Sequence, residues 1–226
     1  MKPRPLTINL PVSSSKLLLM AQIVVLAGLV SGCGKAQEEI DFGIFNHSIY
    51  TNRYFGMTVA IPADWSIQDQ EAQRRLMKLG GNIVAGDDKN MKSLLKASEL
   101  QSVNLFAAFQ YPVGTPVTFN PSVLAMAEKV RELPGIKTGK DYLFSVRRIM
   151  ELAQIQVLFP KDVYTEHLAG TNFDVMETTI SVHGITVRQK YYATIEKGYA
   201  LSFVISFEDD QQLSDDQKIL NTVRFH

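Results

Sequence analysis

The chain has 226 residues, of which 46% are hydrophobic, so it is long enough for one sizeable domain and short for two. Its 23 basic residues equal its 23 acidic residues, a balance that does not support nucleic-acid binding, which needs a concentrated basic surface. Cys33 is the single cysteine, which excludes an intramolecular disulfide and a metal site built from several cysteines. We therefore expect one domain without a disulfide framework and without a nucleic-acid partner.

The first 32 residues have the organisation of an export signal. Lys2, Arg4 and Lys16 give the start a positive charge, and the apolar residues 17–30 follow before a short stretch of small residues. This run fits the about 7 to 15 apolar residues of a secretory signal and falls short of the roughly 18 to 20 that span a bilayer as a helix. A buried core helix is the alternative, but the run has no separate apolar face. The sequence predicts a signal peptide over residues 1–32.

The end of this run resembles a known motif. Val30-Ser31-Gly32-Cys33 is similar to a bacterial lipobox, in which an aliphatic residue, a small residue and Gly or Ala precede the cysteine. The resemblance implies signal cleavage after Gly32, a diacylglyceryl thioether on the Cys33 sulfur, and acylation of the new amino terminus with a fatty acid such as palmitate. It thus implies a lipoprotein of the bacterial envelope, held to its membrane by lipid.

The residue after the cysteine bears on which membrane this is. In the enterobacterial sorting pattern an Asp there retains a lipoprotein in the inner membrane, so Gly34 resembles the outer-membrane class, facing the periplasm. We expect residues 33–46, which are polar at first and have no sustained period, to form a short lipid-anchored tether. Residues 47–226 are expected to form a single domain.

The domain begins with predicted strands and a helix. Residues 48–65 predict two short strands joined at Asn52-Arg53, because apolar residues in the second half alternate with smaller or polar ones. A helix is expected next, with Ala72, Leu76 and Leu79 on one face, and Gly80-Gly81 should close it.

The helical middle of the chain follows. A second helix is predicted from Asp87-Asp88, whose acids suit a helix N-terminus, and alternation over residues 103–111 predicts a strand. Asn120-Pro121 resembles a helix start and predicts an amphipathic helix. The apolar face of that helix would hold Val123, Met126, Ala127 and Val130. The face of one further predicted helix holds Leu143, Val146, Met150 and Ala153.

The C-terminal third is rich in β-forming residues. Three apolar runs are separated by the turn dipeptides His183-Gly184 and Lys197-Gly198, which predicts three consecutive antiparallel strands. Ser214 and Gln217 then form a capping-box pattern, which predicts a short final helix. The fold class expected from this order is α+β, an antiparallel sheet covered by helices in an α/β/α sandwich.

This order of elements resembles the PsbP-like superfamily, named for an extrinsic photosystem protein and including bacterial lipoproteins. The resemblance is carried by the opening from Tyr50 to Trp65 and by the closing meander with its helix, whereas residues 87–152 match least. Members of that superfamily mostly assist assembly or bind partners, so the resemblance implies no enzyme activity.

Motifs for catalysis, metals and cofactors are not evident in the sequence. The stretch PGIKTGKD, residues 134–141, departs from a phosphate loop in its spacing and in having Asp after Lys, so a polar helix connection is expected. The four histidines lack the close spacing of a zinc site, and the acidic run of residues 208–216 is expected to be a solvated helix start. An aromatic group could be core or line a ligand groove. It consists of Trp65, Tyr191, Tyr192, Tyr199 and Phe203.

The sequence thus favours a membrane-anchored envelope lipoprotein that is not an enzyme and needs no cofactor. Its expected role is to bind a protein partner or an envelope component, in assembly or maintenance. Two alternatives stay open, a lipid-tethered hydrolase with a site assembled from distant residues and a carrier of a small apolar ligand. The carrier would need a dry apolar cavity of several hundred Å³.

Overall fold

The computed structural model describes residues 40–153, 156–182 and 185–226. The helices are α1 (Gln70–Ala85), α2 (Lys89–Gln101), α3 (Gly139–Leu152) and α4 (Asp210–Leu220). The strands are β1 (Ile44–Asn46), β2 (Ile49–Asn52), β3 (Met57–Ala60), β4 (Ser66–Ile67), β5 (Ser102–Phe109), β6 (Ser122–Lys129), β7 (Gln156–Leu158), β8 (Tyr164–Leu168), β9 (Thr171–Val182), β10 (Ile185–Glu196), β11 (Tyr199–Phe207) and β12 (Arg224–Phe225).

The strands form two antiparallel sheets. The central sheet has the order β4-β5-β6-β11-β10-β9-β7, with β8 also paired to β9, and the small sheet has the order β1-β2-β3-β12. The predicted meander is confirmed, since β10 pairs antiparallel with both β9 and β11. Lys197 and Gly198, with φ values of 52° and 85°, make the tight turn between β10 and β11. The other predicted turn, His183-Gly184, lies outside the described residues.

Both faces of the central sheet are covered, which confirms the α+β class. On one face α3 packs over β9 and β10, and the pair α1 and α2 packs over β5 and β6. The opposite face packs against the small sheet and α4, with Tyr50 and Val59 of the small sheet in one core with Phe106 and Phe203. On that side the layer consists of the helix α4 together with the small sheet.

The prediction of a helix after Asn120-Pro121 is wrong, because residues 122–129 form β6, an inner strand of the central sheet. Val123, Ala125 and Ala127 are buried on the face toward the small sheet, while Leu124 and Met126 point to the helices. A strand covered on both faces is apolar at consecutive positions and also satisfies the helical period.

Two helix boundaries differ from expectation. Gly80-Gly81 does not end α1, which continues to Ala85 and stops at Gly86, a residue with φ 50°. The cap of α4 is Asp209, whose side chain accepts a hydrogen bond from the Gln212 amide, so the predicted cap at Ser214 lies inside the helix.

The domain also begins earlier than residue 47. Ile44, Phe45 and Asn46 form β1 and pair with Thr51, Tyr50 and Ile49 of β2. Gly43, with φ 69°, lies so close to the Tyr50 ring that a side chain there would overlap it. The predicted tether is therefore too long at its C-terminal end.

Candidate functional site

The predicted lipid-attachment residue Cys33 and the cleavage position after Gly32 lie outside the described residues. The structure does describe how the chain enters the domain a few residues later. The buried Asn52 amide donates hydrogen bonds to the backbone oxygen and the carboxylate of Asp41, both at 2.9 Å. The Tyr50 hydroxyl donates to the Phe42 carbonyl at 2.9 Å. The chain is thus held to the domain from Asp41 onward.

A charged network joins three strands on the face that carries the main core. Lys190 of β10 is only 8% exposed, and its Nζ lies 3.2 Å from Glu166 Oε1 of β8 and 3.3 Å from Glu177 Oε1 of β9. The Tyr164 hydroxyl lies 2.6 Å from Glu177 Oε1 and 2.9 Å from Glu166 Oε1. Lys161 adds a more exposed ammonium 3.1 Å from Glu177. We call these five residues the Lys190 network.

Protonation states in the Lys190 network follow from these contacts. Burial of Glu177 opposes its ionisation, but hydrogen bonds from Tyr164, Lys161 and Lys190 outweigh burial and lower its pKa. Burial and hydrogen bonding to the two carboxylates raise the pKa of the Tyr164 phenol. At neutral pH Glu177 is therefore ionised and Tyr164 is protonated, each with a partner. This arrangement fixes β8, β9 and β10 to one another.

Asp216 of α4 is a buried carboxyl group. It is fully buried, and neither oxygen has a hydrogen-bond partner in the described part of the chain. Burial, with a smaller contribution from the charge of Asp215, raises its pKa to about 8. The expectation that residues 208–216 are solvated therefore fails at Asp216, because its side chain lies on the inner face of α4.

Two cavities bear on the carrier alternative. One of about 180 Å³ lies beside the β10–β11 turn and is bordered by Thr171, Thr194, Glu196 and Lys197 as well as by aromatic rings. A second of about 20 Å³ lies under α1 between Leu76, Phe106 and Leu124. The first has a largely polar lining and the second is smaller than a ligand, so neither matches the cavity that an apolar carrier requires.

The described histidines are not brought together. His47 lies 2.8 Å from Asn46 Oδ1, and His167 lies 2.9 Å from Asn172 Oδ1. His226 lies 3.3 Å from Thr58 Oγ1 on the surface. Within residues 40–153, 156–182 and 185–226, no group of three or more His, Cys, Asp or Glu could hold a metal ion.

The predicted aromatic group is divided by the central sheet. Tyr192 and Phe203 lie in the main core between the sheets, where Tyr199 also packs through the rings of Tyr54 and Phe55. Tyr191 lies on the other face, against the cluster under α3. Trp65 also packs against the main core, so the five aromatic residues are core side chains of different layers and do not line one groove.

The helical pair α1–α2 presents apolar side chains to solvent. Its inner face packs on the sheet through Met91 and through Ser98, whose hydroxyl donates to Glu128 at 3.0 Å. The two helices approach each other at Gly81 and Leu95. Large apolar residues nevertheless remain exposed on this pair. They include Leu79, Ile83, Leu94 and Leu100, and we call these four residues the hairpin surface.

Sequence comparisons returned nothing, whereas structure comparison returned weak matches. No protein-family model and no curated protein matches the sequence. The chain is similar to the solution structure of cyanobacterial PsbP (CyanoP) from Synechocystis, with a TM-score of 0.48 and 12% identity over 84% of this chain and 99% of that chain. It is also similar to LpqN of Mycobacterium tuberculosis, described as involved in cell envelope biogenesis, with a TM-score of 0.42 and 14% identity over 74% and 82%.

A third match is a Bacteroides thetaiotaomicron structure, with a TM-score of 0.40 and 9% identity. The match covers 76% of this chain and 45% of that chain. At these identities and TM-scores the likeness concerns the arrangement of the fold, and we draw no function from it. None of the described helices is long and apolar enough to cross a membrane.

The buried charges were missed at the sequence level although both leave a signal. Lys190 alternates with Tyr192 along β10, on the face that the apolar partners of β11 identify as core. Asp216 falls three residues after Leu213 and three and four before Ile219 and Leu220, on the apolar face of α4. A charged residue at a position that the strand period or the helical period assigns to the core would have identified both side chains.

Proposed function

We propose that the protein is a lipid-anchored protein of the bacterial envelope, attached through Cys33 and facing the periplasm from the outer membrane. Its domain has a binding role in assembly or maintenance and not a catalytic one. The anchor is supported by the lipobox at the end of a short apolar run and by a domain that starts within a few residues of it.

The observation that carries the binding role is the hairpin surface. Leu79 and Ile83 are one helical turn apart on α1, and Leu94 and Leu100 lie on α2, all exposed to solvent. Exposed apolar residues on adjacent helices are typical of a surface that another protein covers. We therefore assign the protein partner to this surface.

The lipid anchor is tested by replacing Cys33. In the natural host the Cys33→Ala variant should remain unprocessed and take up no labelled fatty acid, whereas Ser31→Ala, which keeps a small residue before Gly32, should behave like the parent. Intact mass and incorporation of the labelled fatty acid are the measurements. A Cys33→Ala protein with the same processed mass and the same label would refute the anchor.

The partner is tested by crosslinking in intact cells. A photo-crosslinking residue at Leu79 or Leu100 should give a discrete higher-mass species, to be identified by mass spectrometry. The control is the same residue at Leu158, which is as exposed and apolar but lies on β7. Species from Leu79 that also arise from Leu158, or none at all, would count against the hairpin surface as the binding site.

A further inference from the structure

A second set of exposed apolar side chains lies where the chain enters the domain. Ile44 and Ile49 of the β1–β2 hairpin are 60% and 50% exposed, and Phe42, just before β1, is 54% exposed. We call these three residues the apolar edge. It is separate from the hairpin surface, which belongs to α1 and α2.

The pairing of β1 with β2 places Ile44 and Ile49 on the same side. Phe45 and Tyr50 oppose each other and pack on the core, where their rings are 5.2 Å apart. Because side chains alternate along a strand, Ile44 and Ile49 point to the other, outer face of the small sheet. The described part of the chain therefore leaves about half or more of each of these two side chains open to solvent.

The charge of this outer face suits an anionic surface. Ile44, Thr51, Thr58 and Arg224 form one row across the four strands, since each is paired with the next. Arg224 is exposed, and Arg53 in the turn after β2 is exposed as well. The Asp41 carboxylate accepts hydrogen bonds from the buried Asn52 side chain and from the Gly43 amide.

The distance to the predicted anchor limits what the apolar edge can face. Ile40 follows Cys33 by seven residues, a length of chain that spans at most roughly 25 Å. A domain of this size is about 40 Å across, so its far side lies beyond that reach from the bilayer. The first hairpin follows directly on this entry point, so it lies on a side of the domain that can face the bilayer.

We propose that the apolar edge contacts the bilayer in which the Cys33 lipid is anchored, and that this contact sets the orientation of the domain. The inference rests on the lipid anchor of the proposed function. Three partly exposed apolar residues bind a membrane weakly on their own, but the anchor keeps them at high local concentration beside it. The arginines add attraction for anionic headgroups. With the apolar edge on the bilayer, the hairpin surface is left to a protein partner.

The test uses the full mature lipidated protein in vesicles of phosphatidylethanolamine and phosphatidylglycerol. Because the Cys33 sulfur is occupied by lipid, an Ile49→Cys variant offers one thiol for an environment-sensitive fluorophore, and Leu158→Cys is the matched control. Lipids that carry a quencher near the headgroup should quench the label at residue 49 at least twofold more than the label at residue 158. In an Ile49→Cys variant that also carries Phe42→Ser and Ile44→Ser, this difference should disappear while sedimentation with vesicles is kept.

Each other outcome overturns the inference in a distinguishable way. Protein that fails to sediment with the vesicles would refute both the anchor and the inference that rests on it. Sedimentation with equal, weak quenching at residues 49 and 158 would refute the apolar edge alone and leave the anchor intact. Shielding of residue 49 only when membrane proteins are also present would show that a protein, and not the bilayer, covers this face.

Discussion

The Lys190 ammonium lies 3.3 Å from the Glu177 carboxylate, its direct cross-strand neighbour in the pairing of β10 with β9. Glu166 of β8 approaches the same ammonium from one strand further away, at 3.2 Å. Three neighbouring strands are therefore tied by one buried positive charge. A buried charge that is lost leaves its partners desolvated and unpaired, which is the basis of the first prediction.

Replacing Lys190 with Met should destabilise the domain by about 2–4 kcal/mol, because two carboxylates lose their buried counter-charge. The measurement is the urea midpoint at neutral pH. The control is Lys161→Met, which removes a half-exposed ammonium 3.1 Å from the same Glu177 and should cost only about 0–1 kcal/mol. Equal losses for the two variants would show that burial of Lys190 does not strengthen its ion pairs.

The same network predicts a dependence on acid. Since the folded-state pKa of Glu177 is lowered below its ordinary value of 4.5, Glu177 stabilises the fold above that value and loses this effect as the pH falls through the folded pKa. Acid unfolding followed by fluorescence should therefore become shallower in Glu177→Gln than in the parent. A parallel acid limb in Glu177→Gln would contradict the lowered pKa.

Asp216 should act in the opposite sense. Its pKa is raised to about 8 in the folded state, so its favourable contribution is full below the unfolded value of 3.8 and is lost as the pH rises through about 8. Asp216→Leu should stabilise the protein by about 1–3 kcal/mol at neutral pH, by removing a buried group without hydrogen bonds. Asp215→Asn, one residue away and partly exposed, should change stability by no more than about 0.5 kcal/mol.

The measurement for Asp216 is the free energy of unfolding between about pH 5 and about pH 9. The parent and Asp215→Asn should both lose stability over this interval, whereas Asp216→Leu should give a flatter curve. If Asp216→Leu follows the parent in parallel, the carboxyl group is already ionised in the fold and its raised pKa is wrong.

An element could be predicted from the sequence where its apolar residues fit either the strand period or the helical period, but not both. The strands of the meander alternate over long runs, and α3 shows a helical face with Leu143 buried, so both were found. In β6 consecutive apolar residues satisfy both periods, and the choice depends on the neighbouring strands β5 and β11. Asn120, which looked like a helix cap, instead exchanges two hydrogen bonds with the backbone of Tyr111.

The candidate site was predictable only in part, for a related reason. A lipobox is a local motif and can be found without a structure, although Cys33 itself lies outside the described residues. The Lys190 network and the apolar edge depend on strand register, because Lys190 meets Glu166 through β9 and Ile44 joins Ile49 through a hairpin. Even between neighbouring strands, the register depends on which faces the assembled sheet buries, so it cannot be taken from any single segment.

Gly139, the first residue of α3, should not tolerate a side chain. A Cβ at this position would lie 2.1 Å from the Ala193 carbonyl oxygen of β10, so the helix would have to move off the sheet. We expect Gly139→Ala to destabilise the domain by about 1–3 kcal/mol through this overpacking. The control is Gly80→Ala inside α1, where a Cβ meets nothing within 4 Å and where the gain should be about 0.5–1 kcal/mol. The measurement is the midpoint of thermal unfolding. A higher midpoint in both Gly139→Ala and Gly80→Ala would contradict the close packing at Gly139.

Asn52 should control how firmly the chain is held where it enters the domain. Its buried amide donates two hydrogen bonds to Asp41, and its side-chain oxygen accepts one from the Phe55 amide at 2.9 Å. Asn52→Ala should therefore cost about 1–3 kcal/mol and speed proteolysis near residue 41, because buried groups lose their partners. Asn46→Ala, which removes an exposed side chain from β1, should change stability by no more than about 0.5 kcal/mol. The measurement is the rate of cleavage near residue 41, with the cleavage sites mapped by mass spectrometry. Unchanged cleavage there in Asn52→Ala would mean that contacts other than those of Asn52 hold this segment.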